Sequence, residues 1–506
     1  MSKRRPRKRT TTPDQLVGPK AQQLFNSYAP ISVLSEDDLD LIHDGAMRIL
    51  EEIGLHVMNE KALSLYEKDG AKVDWDKQHV FIDRSIVMKR LQTVPSEFTL
   101  YARNPDRNRL VGRNAINFTS VASAPNSSDL EGGRRTGNFE DYCNFLRLSQ
   151  GADVIDFLSG YPVEPVDIPP ATRHLDASLA AYTLTDKSFS LYCLGGDRVN
   201  DGIEMAAIAR GVDRETLKNE PSIITVVNTN SPLLVDDSML DGLIEMAENG
   251  QPTIVTPFTL SGAMCPITLA GALAQQTAEA LGVIILSQMV RPGAPMMMGG
   301  FTSNADMRTG APAFGTPEYT KAALASGQLA RRYNIPFRSS APNASNCVDA
   351  QAAWETQMSL WGAVMGHAQI IKHAAGWLEG GLCASFEKFI IDLDMLQMMA
   401  ETLKPIEVSE ATLALDAIKQ AGHGGHFFGT THTLANYKTA FYEPIVSDWS
   451  NFESWEENGS KTAFERANKI YRQRLKSFQP PEMDDQIRMS LESYVSQRRR
   501  ELELTR

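Results

Sequence analysis

The chain has 506 residues, of which 42% are hydrophobic and 22% charged, and its formal net charge is −12. This composition is ordinary for a globular protein, and the length allows one large domain with elaborations. No stretch approaches the roughly 18 uninterrupted apolar residues of a membrane span, and the first residues lack the apolar core of a secretion signal. We therefore expect a cytoplasmic protein with no membrane partner.

The charge is uneven along the chain. Residues 3–9 read KRRPRKR, whereas the rest of the sequence is strongly acidic. We predict that residues 1–30 form a basic, disordered arm. We expect no nucleic-acid partner, because the acidic body would repel a polyphosphate.

Residues 31–110 are predicted to be an α+β extension. Ser35 is placed as the N-cap of an amphipathic helix whose first turn is acidic and whose apolar face carries Leu39, Ile42 and Ala46. Gly54 is expected to end this helix.

Residues 111–390 alternate between short apolar or β-branched runs and helical stretches. Eight runs are predicted strands, beginning near residues 116, 154, 188, 222, 253, 294, 335 and 370. Eight alternating units are typical of a (β/α)8 barrel. Counting strands does not show closure, so a doubly wound open sheet is the alternative.

Residues 391–506 are predicted to be a C-terminal helical region. It contains AGHGGHFFGTTHT at residues 421–433, with three histidines among glycines and threonines. The histidine spacing fits no standard zinc motif and the five scattered cysteines form no CxxC pair, so no metal site is expected. The stretch follows no strand, which disfavours a dinucleotide-binding loop.

In a barrel, functional side chains lie at the carboxyl ends of the strands. The side chains at these positions are rich in aromatic and small polar types and poor in carboxylates, and no nucleophile motif occurs. Such aromatic side chains could hold a quaternary ammonium group by cation–π contacts. His373, at the end of the eighth strand, is a candidate catalytic residue. The candidate substrate-binding residues at these positions are Tyr161, Asn228, Ser231, Phe258, Phe301, Arg338, Lys372 and Trp377.

Five segments in order resemble the trimethylamine methyltransferase superfamily: residues 261–282, 290–300, 307–319, 346–356 and 424–434. The resemblance implies a TIM barrel that takes a methyl group from a methylated amine and passes it to the Co(I) corrinoid of a separate protein. The sequence contains only the standard twenty amino acids, so it resembles the branch of the superfamily whose members lack pyrrolysine. That branch implies a quaternary amine as substrate, with glycine betaine, giving dimethylglycine, as the leading candidate.

No histidine follows an aspartate by two positions, so the corrinoid-binding motif D-x-H-x-x-G is absent from this chain and a partner protein would supply the corrinoid. The histidine-rich stretch is then expected at the barrel mouth, with His426 catalytic and Phe427 and His432 contacting substrate. Arg338, Lys372 or His373 would pair with a substrate carboxylate. We also expect a homo-oligomer. Two alternatives stay open: direct methyl transfer to tetrahydrofolate, and a non-catalytic betaine-binding protein.

Overall fold

A computed structural model describes residues 23–504, and their core is a closed parallel barrel. Seven strands pair in parallel: Ala115–Ser120, Phe189–Tyr192, Ile223–Thr229, Thr253–Pro257, Met296–Gly299, Phe337–Ser340 and Ile370–Ala375.

One more strand segment, the second in chain order, closes the ring. It lies around Phe157 and Leu158 and forms parallel bridges to Thr119 on one side and to Phe189 on the other. All eight predicted strands therefore have their place, and the (β/α)8 barrel is confirmed over the open sheet.

Each barrel strand is followed by one long helix of the outer layer. These helices are Phe139–Gln150, Arg173–Leu184, Gly196–Arg210, Asp237–Glu248, Leu269–Val290, Pro317–Arg332, Ala350–Met365 and Phe386–Thr402. The helix Leu269–Val290 begins after an N-cap at Thr268. It is long and apolar enough to cross a membrane by composition alone. However, 83% of its most apolar window is buried, because other elements of the protein surround it.

The N-terminal extension packs outside the barrel. Its helices are Glu36–Arg48, Glu60–Lys68 and Arg84–Leu91, and a small sheet contains Leu55–Val57, Lys72–Asp74 and His79–Phe81. Ser35 caps the first helix in a capping box with Asp38, as the sequence predicted. Gly54, with φ of 77°, ends the turn of π-helix, Ile49–Ile53, that extends it.

A hairpin of the extension closes the end of the barrel opposite the strand carboxyl ends. Its strands are Glu97–Leu100 and Arg109–Gly112. Phe98, Leu100 and Val111 form a separate apolar cluster with barrel residues that include Phe157 and Ile254. Because this end is filled with apolar side chains, a ligand can enter the barrel only from the other end.

The basic segment 3–9 lies outside the described residues, but the structure describes the last part of the predicted arm, residues 23–30. Leu24–Phe25 pairs antiparallel with the first barrel strand. The amide of Asn26 donates to the carbonyl of Val364 at 2.8 Å, and Asn26 is buried. Residues 23–30 therefore pack on the barrel, which differs from the disorder expected for residues 1–30.

The C-terminal region is helical. Short helices Glu410–Leu413, Leu415–Ala421, Thr431–Asn436 and Phe452–Glu457 precede two longer ones, Ala463–Lys476 and Asp485–Leu504. Ala463–Lys476 packs on Phe386–Thr402, and Asp485–Leu504 packs on Arg173–Leu184 and Gly196–Arg210. The chain thus returns to the outer layer of the barrel.

Candidate active site

A cavity of about 720 Å³ opens at the carboxyl ends of the barrel strands. This volume is within the range of small-molecule sites, and the position is the one that barrel enzymes use. The cavity gathers predicted residues from five different strands or the loops after them. These are Asn228, Ser231, Phe258, Phe301, Arg338, Lys372, His373 and Trp377.

A bulge in the eighth barrel strand brings two consecutive side chains to the cavity. Side chains of a regular strand alternate between its two faces, so Lys372 and His373 should point in opposite directions. The register with the first strand shifts between Ile371 and Ala375, and His373 has φ of 57°. The bulge interrupts the alternation, and both side chains line the cavity.

Arg338 is a buried cation without an acidic partner among residues 23–504. Its guanidinium donates one long hydrogen bond of 3.4 Å to the hydroxyl of Thr256, and its Nε has no partner. It lies 5.3 Å from the centre of the Phe301 ring. Burial lowers the pKa of Arg338 to about 10, so the group remains charged at neutral pH.

Lys372 is a second buried basic side chain on the same wall, and no described carboxylate pairs with it either. Burial, followed by the charge of Arg338, lowers the pKa of Lys372 well below its usual value. Burial, followed by the electrostatic influence of Arg338 and of Lys372, holds the pKa of His373 well below 6.5. His373 is therefore a neutral imidazole at neutral pH, and its Nδ1 has no hydrogen-bond partner in the described chain.

Aromatic rings line the cavity next to these basic side chains. Phe258 and Phe301 have ring centres 5.4 Å apart, and Phe301 lies 6.3 Å from Trp377. Trp377 is fixed by its indole N–H, which donates to the carbonyl of Asn343 at 3.0 Å. Such ring faces attract a cation.

Glu164 and Tyr192 also line the cavity. Burial is the main influence on Glu164 and raises the pKa of its carboxyl, although Arg173 opposes this shift through an ion pair of 3.3 Å. The hydroxyl of Tyr192 donates to that of Ser123 at 2.9 Å. Neither residue is among those predicted from the sequence. Glu164 follows the second strand segment, around Phe157, and Tyr192 is the last residue of the third strand, Phe189–Tyr192. These positions were the available signal.

Glu279 holds the loop that carries Asn228 and Ser231. This carboxylate is fully buried in the helix Leu269–Val290. It accepts hydrogen bonds from the hydroxyls of Thr229 and Ser231, from the backbone N–H of Leu233 at 2.9 Å, and from the amide of Gln275 at 2.8 Å. Four donors thus position one rim of the cavity.

The other predicted site residues lie elsewhere. Tyr161 lines a smaller neighbouring cavity of about 90 Å³, behind Tyr192, whose ring centre is 4.4 Å away. His426, Phe427 and His432 are exposed and contribute nothing to the large cavity. The expectation that their segment contributes to the barrel mouth is not met in the single chain: Tyr442 and the backbone of residues 445–447, which follow the segment, are hydrogen-bonded to Asp394 on the outer helix Phe386–Thr402.

The described residues contain no group of three or more histidine, cysteine, aspartate or glutamate side chains that could hold a metal ion. All five cysteines are free thiols. The chemistry of the cavity therefore comes from its unpaired basic side chains, its neutral imidazole and its aromatic faces.

Comparison with known proteins decides the family. The family model of trimethylamine methyltransferase (MTTB) matches residues 1–503. The chain belongs to the trimethylamine methyltransferase family. A glycine betaine methyltransferase of Desulfitobacterium hafniense strain Y51 is 36% identical over 481 residues, which cover 95% of this chain and 99% of the relative.

More distant relatives match over similar lengths. The trimethylamine methyltransferase MttB of D. hafniense strain DSM 10664 / DCB-2 is 29% identical and covers 92% of this chain and 93% of its own. MttB of Methanosarcina barkeri strain Fusaro is 27% identical, with coverage of 92% and 94%. The crystal structure of the M. barkeri monomethylamine methyltransferase MtmB matches with a TM-score of 0.48 and 11% identity, over 88% of this chain and 95% of that one. As a member of this family, the chain is a methyltransferase.

Proposed function

We propose that this methyltransferase demethylates a carboxylated quaternary amine, with glycine betaine as the leading substrate and dimethylglycine as the product. The observation that carries the proposal is Arg338, a buried cation that has no carboxylate partner in the described chain, with the buried amine of Lys372 on the same cavity wall. A buried charge is costly unless it is paired, so a ligand that brings its own carboxylate would supply what the protein lacks.

The remaining groups fit the other end of such a ligand. Phe258, Phe301 and Trp377 offer ring faces to a trimethylammonium group, each contributing about 0.5–2 kcal/mol. Trimethylamine lacks the carboxylate and would leave the buried Arg338 unpaired. The identity of 36% to a glycine betaine methyltransferase supports the same substrate class.

The leaving group explains why the cavity needs no general acid. When a methyl group leaves a quaternary ammonium, the nitrogen keeps the bonding electron pair and becomes a neutral tertiary amine. No proton has to be delivered, which agrees with the low pKa of His373. We infer that His373 acts as a neutral group that orients the substrate, and that the cavity holds the N–CH3 bond in line with the acceptor.

We propose that the acceptor is the corrinoid of a separate protein that reaches the cavity from the open end of the barrel and acts in the cytoplasm. Reduced cobalt supplies the nucleophile when that partner is bound. The residues of this chain bind and orient the amine, and the aromatic wall keeps water away from the reacting carbon. The acceptor can reach the amine only through the mouth of the barrel, since the opposite end is filled by the hairpin that contains Phe98 and Val111.

The first experiment is a thermal-shift screen of the full chain with glycine betaine, proline betaine, carnitine, choline and trimethylamine. A ligand at 100 times its dissociation constant should stabilise the protein by about 2.7 kcal/mol. We expect the carboxylated quaternary amines to raise the melting temperature, and choline and trimethylamine to have little effect. If trimethylamine alone raises the melting temperature, the pairing of Arg338 and Lys372 with a substrate carboxylate is wrong.

The acceptor is tested separately. Turnover of glycine betaine with Co(I) cobalamin, followed by NMR detection of dimethylglycine, should succeed without added folate. Product formed only with tetrahydrofolate would replace the corrinoid acceptor, and binding without turnover with either acceptor would support a binding protein instead.

A further inference from the structure

Residues 405–441 form a segment, here named the apolar arm, that exposes many large apolar side chains. It runs from the end of the last barrel helix to Tyr442. Phe428 is 85% exposed and Phe441 81% exposed. The exposed large apolar side chains of the arm are Ile406, Val408, Leu413, Leu415, Ile418, Phe427, Phe428, Leu434, Tyr437 and Phe441.

The composition of the apolar arm is that of an interface. Between residues 420 and 442 the only Asp, Glu, Lys or Arg is Lys438, although the whole chain has 22% charged residues. Solvated surface segments are normally rich in charge, whereas the centres of interfaces are depleted in it and enriched in aromatic residues. The arm is therefore built for contact with protein and not with water.

The exposed area is large enough for a stable contact. Four aromatic side chains that bury about 150–250 Å² each in a core leave on the order of 500 Å² of this area exposed here. With the six aliphatic side chains, the area approaches the roughly 800 Å² that each partner contributes to a standard interface. A free monomer rarely exposes so much.

Local structure alone does not account for the order of the arm. Its three helices, Glu410–Leu413, Leu415–Ala421 and Thr431–Asn436, are far shorter than the roughly 12 residues at which an isolated helix becomes marginally stable. Both ends are anchored on one outer helix. The arm continues directly from Thr402, and at its far end Asp394 accepts hydrogen bonds from the Tyr442 hydroxyl and from the backbone of residues 445–447.

These anchors point away from the cavity. Barrel helices run antiparallel to the strands, so the last turn of Phe386–Thr402 lies at the end opposite the mouth, where the hydroxyl of Ser27 donates to the carbonyl of Leu403 at 2.6 Å. No residue of the arm lines the cavity. A methyl acceptor must approach the mouth, so it has no need to cover the arm.

A matching surface occurs on the same chain. Trp354, Met358 and Trp361 are spaced by four and three residues and form one exposed stripe on the helix Ala350–Met365, with Trp354 59% exposed. We propose that the apolar arm docks on this stripe of a second copy, so that two copies exchange arms. A self-complementary exchange covers both surfaces at once and closes the assembly.

The test measures the molar mass of the full chain by size-exclusion chromatography with light scattering at micromolar concentration. We expect at least twice the 55.8 kDa of one chain. The double variant Phe428→Asp/Phe441→Asp should elute at the mass of one chain, and Trp354→Asp/Met358→Asp should do the same. Leu41→Asp is the matched control, because Leu41 is 73% exposed but lies on the N-terminal helix, and it should keep the wild-type mass.

Mixing the two double variants gives the sharpest outcome. One intact arm can then reach one intact stripe, so the mass should rise again on mixing. The conservative variant Phe428→Leu/Phe441→Leu should retain the assembly, and circular dichroism should show that all variants are folded. A wild-type monomer, an arm variant that keeps its mass, or a mixture that does not reassociate would overturn the proposal. So would an arm variant whose only defect is failure to bind the corrinoid protein.

Discussion

Replacing Arg338 by methionine should raise the stability of the ligand-free protein and weaken its binding of the substrate. The guanidinium is buried, has one hydrogen bond of 3.4 Å, and has no acidic partner among the described residues. Exchanging such a buried charge for an apolar side chain of similar length is often neutral or stabilising by about 1–4 kcal/mol. We expect Arg338→Met to melt at a higher temperature than the wild type without ligand.

Binding should change in the opposite direction. Loss of one partner from a buried, hydrogen-bonded charge pair costs about 2–5 kcal/mol. At 1.4 kcal/mol for each factor of ten, the dissociation constant of glycine betaine should rise roughly thirtyfold to a few thousandfold. Titration calorimetry measures this change, and the weak binding of choline should not fall further in the variant, because choline has no carboxylate to pair with Arg338.

The two measurements together separate a binding role from a structural one. If Arg338 serves only the fold, its loss lowers the melting temperature and leaves the affinity near the wild-type value. A variant that binds glycine betaine within threefold of wild type would refute the pairing of Arg338 with the substrate carboxylate.

Three further predictions follow from the same cavity. The folded pKa of Lys372 is depressed, so at pH values between that pKa and the unfolded value near 10.5 the unfolded state holds one more proton. The free energy of unfolding should therefore rise with pH by up to about 1.4 kcal/mol per unit, and denaturant titrations should show this contribution disappear in Lys372→Met. Glu279→Ala removes the acceptor of four hydrogen bonds and should lower stability by several kcal/mol, at about 1–3 kcal/mol per group left unsatisfied, and also reduce kcat/KM. The exposed Glu248→Ala should change stability by less than about 0.5 kcal/mol, and equal losses in the two would contradict the role of Glu279. Gly381→Ala adds a Cβ 2.6 Å from the indole of the cavity tryptophan, whereas Gly459→Ala at a similar positive φ meets nothing within 4 Å. Only Gly381→Ala should weaken binding of glycine betaine and carnitine alike, and equal affinities in both variants would argue against the aromatic wall.

The barrel could be predicted from the sequence alone. Seven predicted strands are found and the eighth run supplies the bridges that close the ring, because segments buried on both faces are continuous apolar runs that stand out from the helices between them. The cap at Ser35 was equally readable, since its bonds are local. Eight of the twelve predicted site residues line one cavity, because the ends of parallel strands meet at one end of a barrel.

The other features of the site depend on long-range contacts. Regular alternation would have placed just one of Lys372 and His373 in the cavity, and the bulge that admits both depends on the pairing with the first strand. Glu164 enters the site through loop geometry that no periodicity reports. The histidine-rich segment looked like part of the mouth, yet its position depends on the long-range hydrogen bonds to Asp394 that hold the end of the arm on the outer layer. Local patterns fix elements whose partners are near in sequence, while contacts between residues tens to hundreds of positions apart are settled only when the chain is folded.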